Sequence, residues 1–183
     1  DGKPQLVSVA PEDLLAEKGI AAGDTIDGTR FARNGCPSRG TVDIFIEPCL
    51  PAPQLVVLGA SPVAQALSSF APQFHWSVAA TLAQKKPHQR QFVVVATQGQ
   101  GDLDALKSAL SEKKDHVAFV GSRRKYAALA EKLVAAGIDR SLIESVQAPA
   151  GLNLGAVTPE EIALSILAQF VQIRRMAVKP SHA

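Results

Sequence analysis

The stretch HVAFVGSRRKYAAL, residues 116–129, reads as a buried strand, a tight turn and the start of a helix. Val117 to Val120 form an uncharged apolar run, as a strand covered on both faces requires. Gly121 and Ser122 interrupt it, and apolar residues then recur at helical spacing. The same order is found on both sides of it. QLVVLG (54–59) leads to a helix from about Pro62, HWSVAA (75–80) follows, and QFVVVAT (91–97) leads to a helix over DLDALKSALSEK (102–113). IESVQAP (143–149) reads as one more strand before a last helix from Pro159. Alternating elements with strands apolar on both faces predict a Rossmann-like α/β domain over 54–183, a doubly wound parallel sheet.

Residues 1–53 differ in texture. TVDIFIEP (41–48) alternates at Val42, Ile44 and Ile46, and PCLPAP (48–53) has three prolines in six positions, which suits a linker or an extended edge. A small, mostly β N-terminal domain is expected there. Helix ends support the parse of the larger domain. Asp102 is placed to cap the helix it opens, Gly137 follows the EKLVAA helix, and Thr158-Pro159-Glu160-Glu161 reads as N-cap, first-turn proline and capping-box glutamate. In the last helix Ile162, Ile166, Phe170 and Ile173 share a stripe that Ala163, Leu167 and Val171 widen.

Bulk properties narrow the function classes. The 183 residues are 46% hydrophobic and 20% charged, values of a globular chain, and the net charge is +2. Such a balance argues against nucleic acid or a membrane surface as a general partner, so anion binding has to be local. Four scattered histidines and two cysteines, Cys36 and Cys49, show no ligand spacing, so no protein-ligated metal is expected. With no membrane-length apolar segment and no need of a disulfide at this size, a cytoplasmic protein is expected.

In open α/β sheets ligands lie at the carboxyl ends of the strands, so the strand-to-helix turns carry the functional reading. The turn LGASPVA places Gly59, Ala60 and Ser61 in the shape of a dinucleotide fingerprint, with serine at the second glycine position and Ala64 at the third. No acidic residue follows about twenty positions later, which weakens an NAD reading. Thr97, Gln98 and Gly99 form a second glycine-bearing turn. In the third, Ser122, Arg123, Arg124 and Lys125 put three cations where a helix dipole opposes them, at a cost of a few tenths of a kcal/mol each. A bound anion would remove the repulsion and use the free amides; a solvated basic turn is the alternative. The fourth loop, APAGLNLGAVTPEE, brings Ala150, Gly151 and Leu152 with two further turn residues, Pro149 and Gly155.

Taken together, GCPSRGTVDIFIEP, LVVLGASPVAQAL, FVVVATQGQGDLDAL, VAFVGSRRK and APAGLNLGAVTPEEIALSILAQFVQIRR resemble the XdhC/CoxI family, and most of all its CoxF-type members. The resemblance implies a maturation factor for molybdenum hydroxylases such as xanthine or carbon monoxide dehydrogenase. Such a factor binds the molybdenum cofactor (molybdopterin) or its nucleotide form, assists its modification and hands it to the apoenzyme. On that basis the cofactor would be held by Gly59 to Ser61, Thr97 to Gly99, Ser122 to Lys125 and Ala150 to Leu152. The implied partners are the molybdenum hydroxylase apoenzyme, a cysteine desulfurase and a second copy of the chain. Cys36 matches the family's Gly-Cys position, where a thiolate suits sulfur relay; a small structural residue in a tight turn is the alternative. Pro62, Asn153 and Gln169 stand where many relatives carry His, Asp and Glu. Two further readings stay open: an NAD(P)-type nucleotide-dependent oxidoreductase, and a ligand-free interaction module docking through its last helix.

Overall fold

The computed structural model describes residues 4–82, 86–112 and 114–176. They divide into two compact units, Asp1–Leu50 and Pro51–Ala183.

The first unit holds β1 (Gln5–Ala10), α1 (Glu12–Glu17), β2 (Thr25–Ile26), β3 (Thr29–Arg33) and β4 (Val42–Ile46), in the sheet order β2-β3-β1-β4. β1 runs parallel to β3 with α1 in the crossover, and antiparallel to β4. β2 and β3 form a hairpin through Asp27-Gly28, both at positive φ. An Asp-Gly pair is what a two-residue turn with that twist requires. The alternation at Val42, Ile44 and Ile46 does belong to a strand, but β4 is an edge and all three side chains are exposed.

The second unit is the α/β domain. Its strands β5 (Gln54–Leu58), β6 (Ser77–Ala79), β7 (Gln91–Val95) and β8 (His116–Phe119) are all parallel, in the order β6-β5-β7-β8. Valine-rich β5 and β7 lie at the centre, where β-branched side chains pack well on both faces. α2 (Pro62–Phe70) and α6 (Pro159–Met176) cover one face; α3 (Asp102–Leu110), α4 (Arg123–Ala135) and α5 (Arg140–Glu144) cover the other. Leu55, Val57, Phe92 and Val94 meet Leu67, Ile166 and Phe170 on the first face, while Val56, Val93 and Val95 meet Leu106, Leu129 and Leu133 on the second. Helices on both faces of a parallel sheet make a doubly wound Rossmann-like domain.

Two local expectations are corrected. Residues 143–149 are not a strand: Asp139 accepts a hydrogen bond from Ser141 N and starts α5, leaving one parallel bridge between Gln147 and Ala118. Asp102 is not the cap of α3, because Gly101 in the left-handed region (φ 81) takes that position and Asp102 becomes the first helical residue. The other signals are realised. Gly137 lies just past α4 at φ 81. Thr158 and Glu161 bond each other's amides as a capping box, Thr158 N donating to Glu161 Oε2 (3.0 Å) and Glu161 N to Thr158 Oγ1 (3.3 Å).

Candidate functional site

The carboxyl ends of the strands present a cavity of about 740 Å³ beside the edge strand β8. One side of it is the β8–α4 turn, Val120 to Arg123; the other is the loop 149–156. Ile162 and Ser165 of α6 complete the lining. Each side is held in place by identifiable bonds.

On the α4 side Ser122 is the N-cap, its Oγ accepting from Lys125 N at 3.2 Å. The first intrahelical bond runs from Tyr126 N to Ser122 O. The amides of Arg123 and Arg124 therefore precede the ladder, at the positive end of the dipole. Gly121 is required by space: a Cβ there would lie 3.0 Å from Cζ of Phe119, whose ring packs beneath the turn.

The opposite side is pinned from two directions. Ala150 N donates to Phe119 O (3.0 Å), tying the loop to the sheet edge. Gly151 N donates to Gln169 Oε1 (3.0 Å) and Leu152 N to Ser165 O (3.2 Å), tying it to α6. Gly151 has φ 92, and a Cβ on it would collide with Ser165 Oγ and approach Ile166 N to 3.1 Å, so α6 can press against the loop only with glycine there.

Charge is distributed unevenly around the cavity. Arg123 is the one charged residue in its lining, and the lining contains no carboxylate. At the nearby N-terminus of α6 the amides of Val157 and Thr158 both donate to Glu161 Oε2, which holds that carboxyl below its ordinary pKa. The α6 end thus has a carboxylate over its entry amides, whereas the α4 end has only its serine cap. The positive end of the α4 dipole and Arg123 thus lie on the same side of the cavity. Val120, Pro149, Leu152 and Leu154 give the lining an apolar surface.

The proposed site residues fall into two groups. Ser122, Arg123, Ala150, Gly151 and Leu152 line the cavity together. Arg124 is exposed and outside the lining. Lys125 turns away: its Nζ pairs with Asp102 Oδ2 at 2.6 Å, and Asp102 also accepts from Thr97 Oγ1 and from Gly99 N (3.1 Å). Burial alone would raise the Asp102 carboxyl pKa, but bonds from Lys125, Thr97 and Gly99 bring it below the ordinary value. Thr97 and Gly99 thus share a polar knot with Lys125, beside Gln98 at φ 52. Gly59 packs on the same strand end; its Cβ would lie 2.5 Å from Ala96 O, and Ala60 follows it. Ser61 is buried, with Oγ accepting from Ala64 N (3.2 Å) as the cap of α2. That bond starts α2.

Gln169 and Ser165 escaped the sequence reading as site residues because they sit inside a helix whose stripe looks like core. Cys36 lies in the first unit at an exposed turn, where Asn34 Oδ1 accepts Cys36 N (2.8 Å) and the Ser38 hydroxyl donates to Cys36 Sγ (3.3 Å). That hydroxyl, with the Ser38 backbone, holds the thiol below its ordinary pKa. Among the described residues no group of three or more His, Cys, Asp or Glu is arranged to hold a metal, and no helix is long and apolar enough to cross a membrane.

Residues 55–170, well over half the chain, match the family model of the XdhC Rossmann domain. The chain belongs to the XdhC family. This XdhC protein is 28% identical to the uncharacterized protein YqeB of Escherichia coli (strain K12) over 84% of its own length and 35% of YqeB. It spans about a third of that relative. Its fold is shared with a solved structure described as a xanthine dehydrogenase from Bacillus halodurans, with a TM-score of 0.57 and 21% identity over 78% of this chain and 47% of the other.

Proposed function

We propose that this XdhC protein is an accessory factor in the maturation of a molybdenum hydroxylase, such as a xanthine or carbon monoxide dehydrogenase. In this reading it holds the molybdenum cofactor, or its nucleotide form, in the cavity beside β8 and passes it to the apoenzyme. The observation that carries the reading is the cavity's two-sided chemistry in a chain of this family. Open α4 amides and Arg123 suit a phosphate, while Leu152, Leu154 and Pro149 suit a flat heterocycle. A volume of about 740 Å³ is within the usual range for a cofactor-sized ligand. The cofactor is cargo here. Ser122 and Arg123 would hold its anionic end and the loop 149–156 its body. The finer resemblance to CoxF-type members, an exposed Cys36 as sulfur relay, and a cysteine desulfurase or second copy of the chain as partners all belong to this proposal.

A nucleotide-dependent oxidoreductase finds less support. β6 ends at Ala79 with Ala80, Thr81 and Leu82 after it, none of them an acid for a ribose.

Thermal shift with molybdopterin, NAD(P) and CTP side by side tests the reading. A ligand at about a hundred times its Kd adds roughly 2.7 kcal/mol of stability. Molybdopterin is expected to stabilise the wild type, Arg123→Ala to lose that response and Arg124→Ala to keep most of it. Stabilisation by NAD(P) alone, or an unchanged molybdopterin response in Arg123→Ala, would overturn the assignment.

A further inference from the structure

We propose that Gln169 is a positioning residue for the cavity: it sets the 149–152 wall through Gly151 and leaves that wall uncharged, so that nothing on it opposes an anion. The inference rests on reading the cavity as an anion site. Ser165 and Gln169 are four residues apart, so they share one face of α6. Both act on the same short segment, Ser165 O accepting Leu152 N and Gln169 Oε1 accepting Gly151 N. Gln169 does not line the cavity; it stands behind the residue that does.

Accepting an N–H does not by itself call for an amide. A carboxylate of the same shape would accept the same proton, and more strongly. What the amide changes is charge. With Arg123 the one charged lining residue, a negative charge at position 169 would oppose the field that Arg123 and the α4 terminus project into the cavity. Gln169 thus supplies the acceptor and no charge.

The surroundings of position 169 are nearly free of titrating groups. Along α6, Glu160 and Glu161 lie at its start and Arg174 and Arg175 at its end. The helix packed against it, α2, has no ionisable side chain, and neither has the loop 147–156. From the sheet, His116 faces the neighbouring Phe170 at 5.3 Å between ring centroids, with Arg90 near it. All of these are shared by the wild type and the variants, so a difference in pH profile reports on position 169.

Sulfate keeps its charge across the useful pH range and serves as the probe, with affinity read by titration calorimetry on the full chain. The wild type is expected to bind it with a nearly flat profile. Gln169→Glu should weaken binding roughly tenfold near about pH 8 and recover as acid protonates the new carboxyl. Gln169→Leu should weaken binding at every pH, with faster hydrogen exchange at the Gly151 amide. Gln169→Glu keeps the acceptor and should keep that amide protected, which separates charge from misfolding. A Gln169→Glu profile matching the wild type would overturn the assignment of Gln169 alone. Failure of the wild type to bind sulfate would sink the anion reading of the cavity and this inference with it.

Discussion

Single residues explain why three cations can open a helix. Lys125 is neutralised by Asp102, Arg123 faces the cavity and Arg124 is solvated. A run of like charge was visible in the sequence; its division into three fates was not, because the partner of Lys125 comes from a different strand-to-helix turn. Asp102→Asn keeps the shape and removes the charge. It is expected to destabilise the fold by about 1–3 kcal/mol, since it strips a largely buried carboxylate from a bound ammonium. A denaturant titration measures it, and an unchanged midpoint would show the knot to be idle. His116 gives the pH prediction. Burial, with the Arg90 charge nearby, holds its pKa below the ordinary value, so the folded state resists protonation. Its stabilising contribution is whole above the unfolded pKa of about 6.5 and is lost as pH falls toward the folded value. The melting temperature should therefore drop on acidification through this window, and His116→Phe, which suits the Phe92 and Phe170 rings, should flatten that drop.

Elements were legible where two independent signals coincided. β5, β7 and β8 combine apolar runs with a small-residue turn, and α6 combines a capping box with a wide apolar stripe. Reading failed where one signal stood alone. Residues 143–149 have strand-like side chains, yet α5, begun at the Asp139 cap, takes Ile143 and Glu144 and leaves a single bridge at Gln147. Asp102 has a capping side chain, yet Gly101 supplies the left-handed backbone and displaces it. The cavity was half legible for a related reason. Its α4 side is contiguous in sequence, whereas its other side depends on Gly151 meeting Ser165 and Gln169 across the fold. The α6 cap lends itself to measurement at this scale. Thr158→Ala removes the acceptor for Glu161 N and should cost about 1 kcal/mol. Because the loop 149–156 leads directly into this cap, sulfate affinity should fall with it. Loss of stability with full affinity retained would mean that the loop is held by Gln169 and Ser165 alone.

At the scale of the whole molecule the two units differ sharply in what they bury. Both hydrophobic clusters are built entirely from residues of the Pro51–Ala183 unit. Among the described residues the Asp1–Leu50 unit buries only Ala10, Pro11 and Leu15, and its edge strand exposes Phe45 at 64% and Val42 at 50%. A sheet of four short strands covered by a six-residue helix lacks the apolar burial that offsets chain entropy at about fifty residues. The larger unit has a two-faced core with Phe92, Phe119 and Phe170 fully enclosed. A fragment starting at Pro51 is therefore expected to unfold cooperatively, within about 5 °C of the full chain's main transition, and to bind sulfate with unchanged affinity, because every residue lining the cavity lies in it. A peptide of residues 1–50 is expected to give a poorly dispersed amide spectrum. Collapse of the larger fragment, or a well-dispersed spectrum from the smaller one, would show that stability is shared between the units in a way their separate cores do not account for.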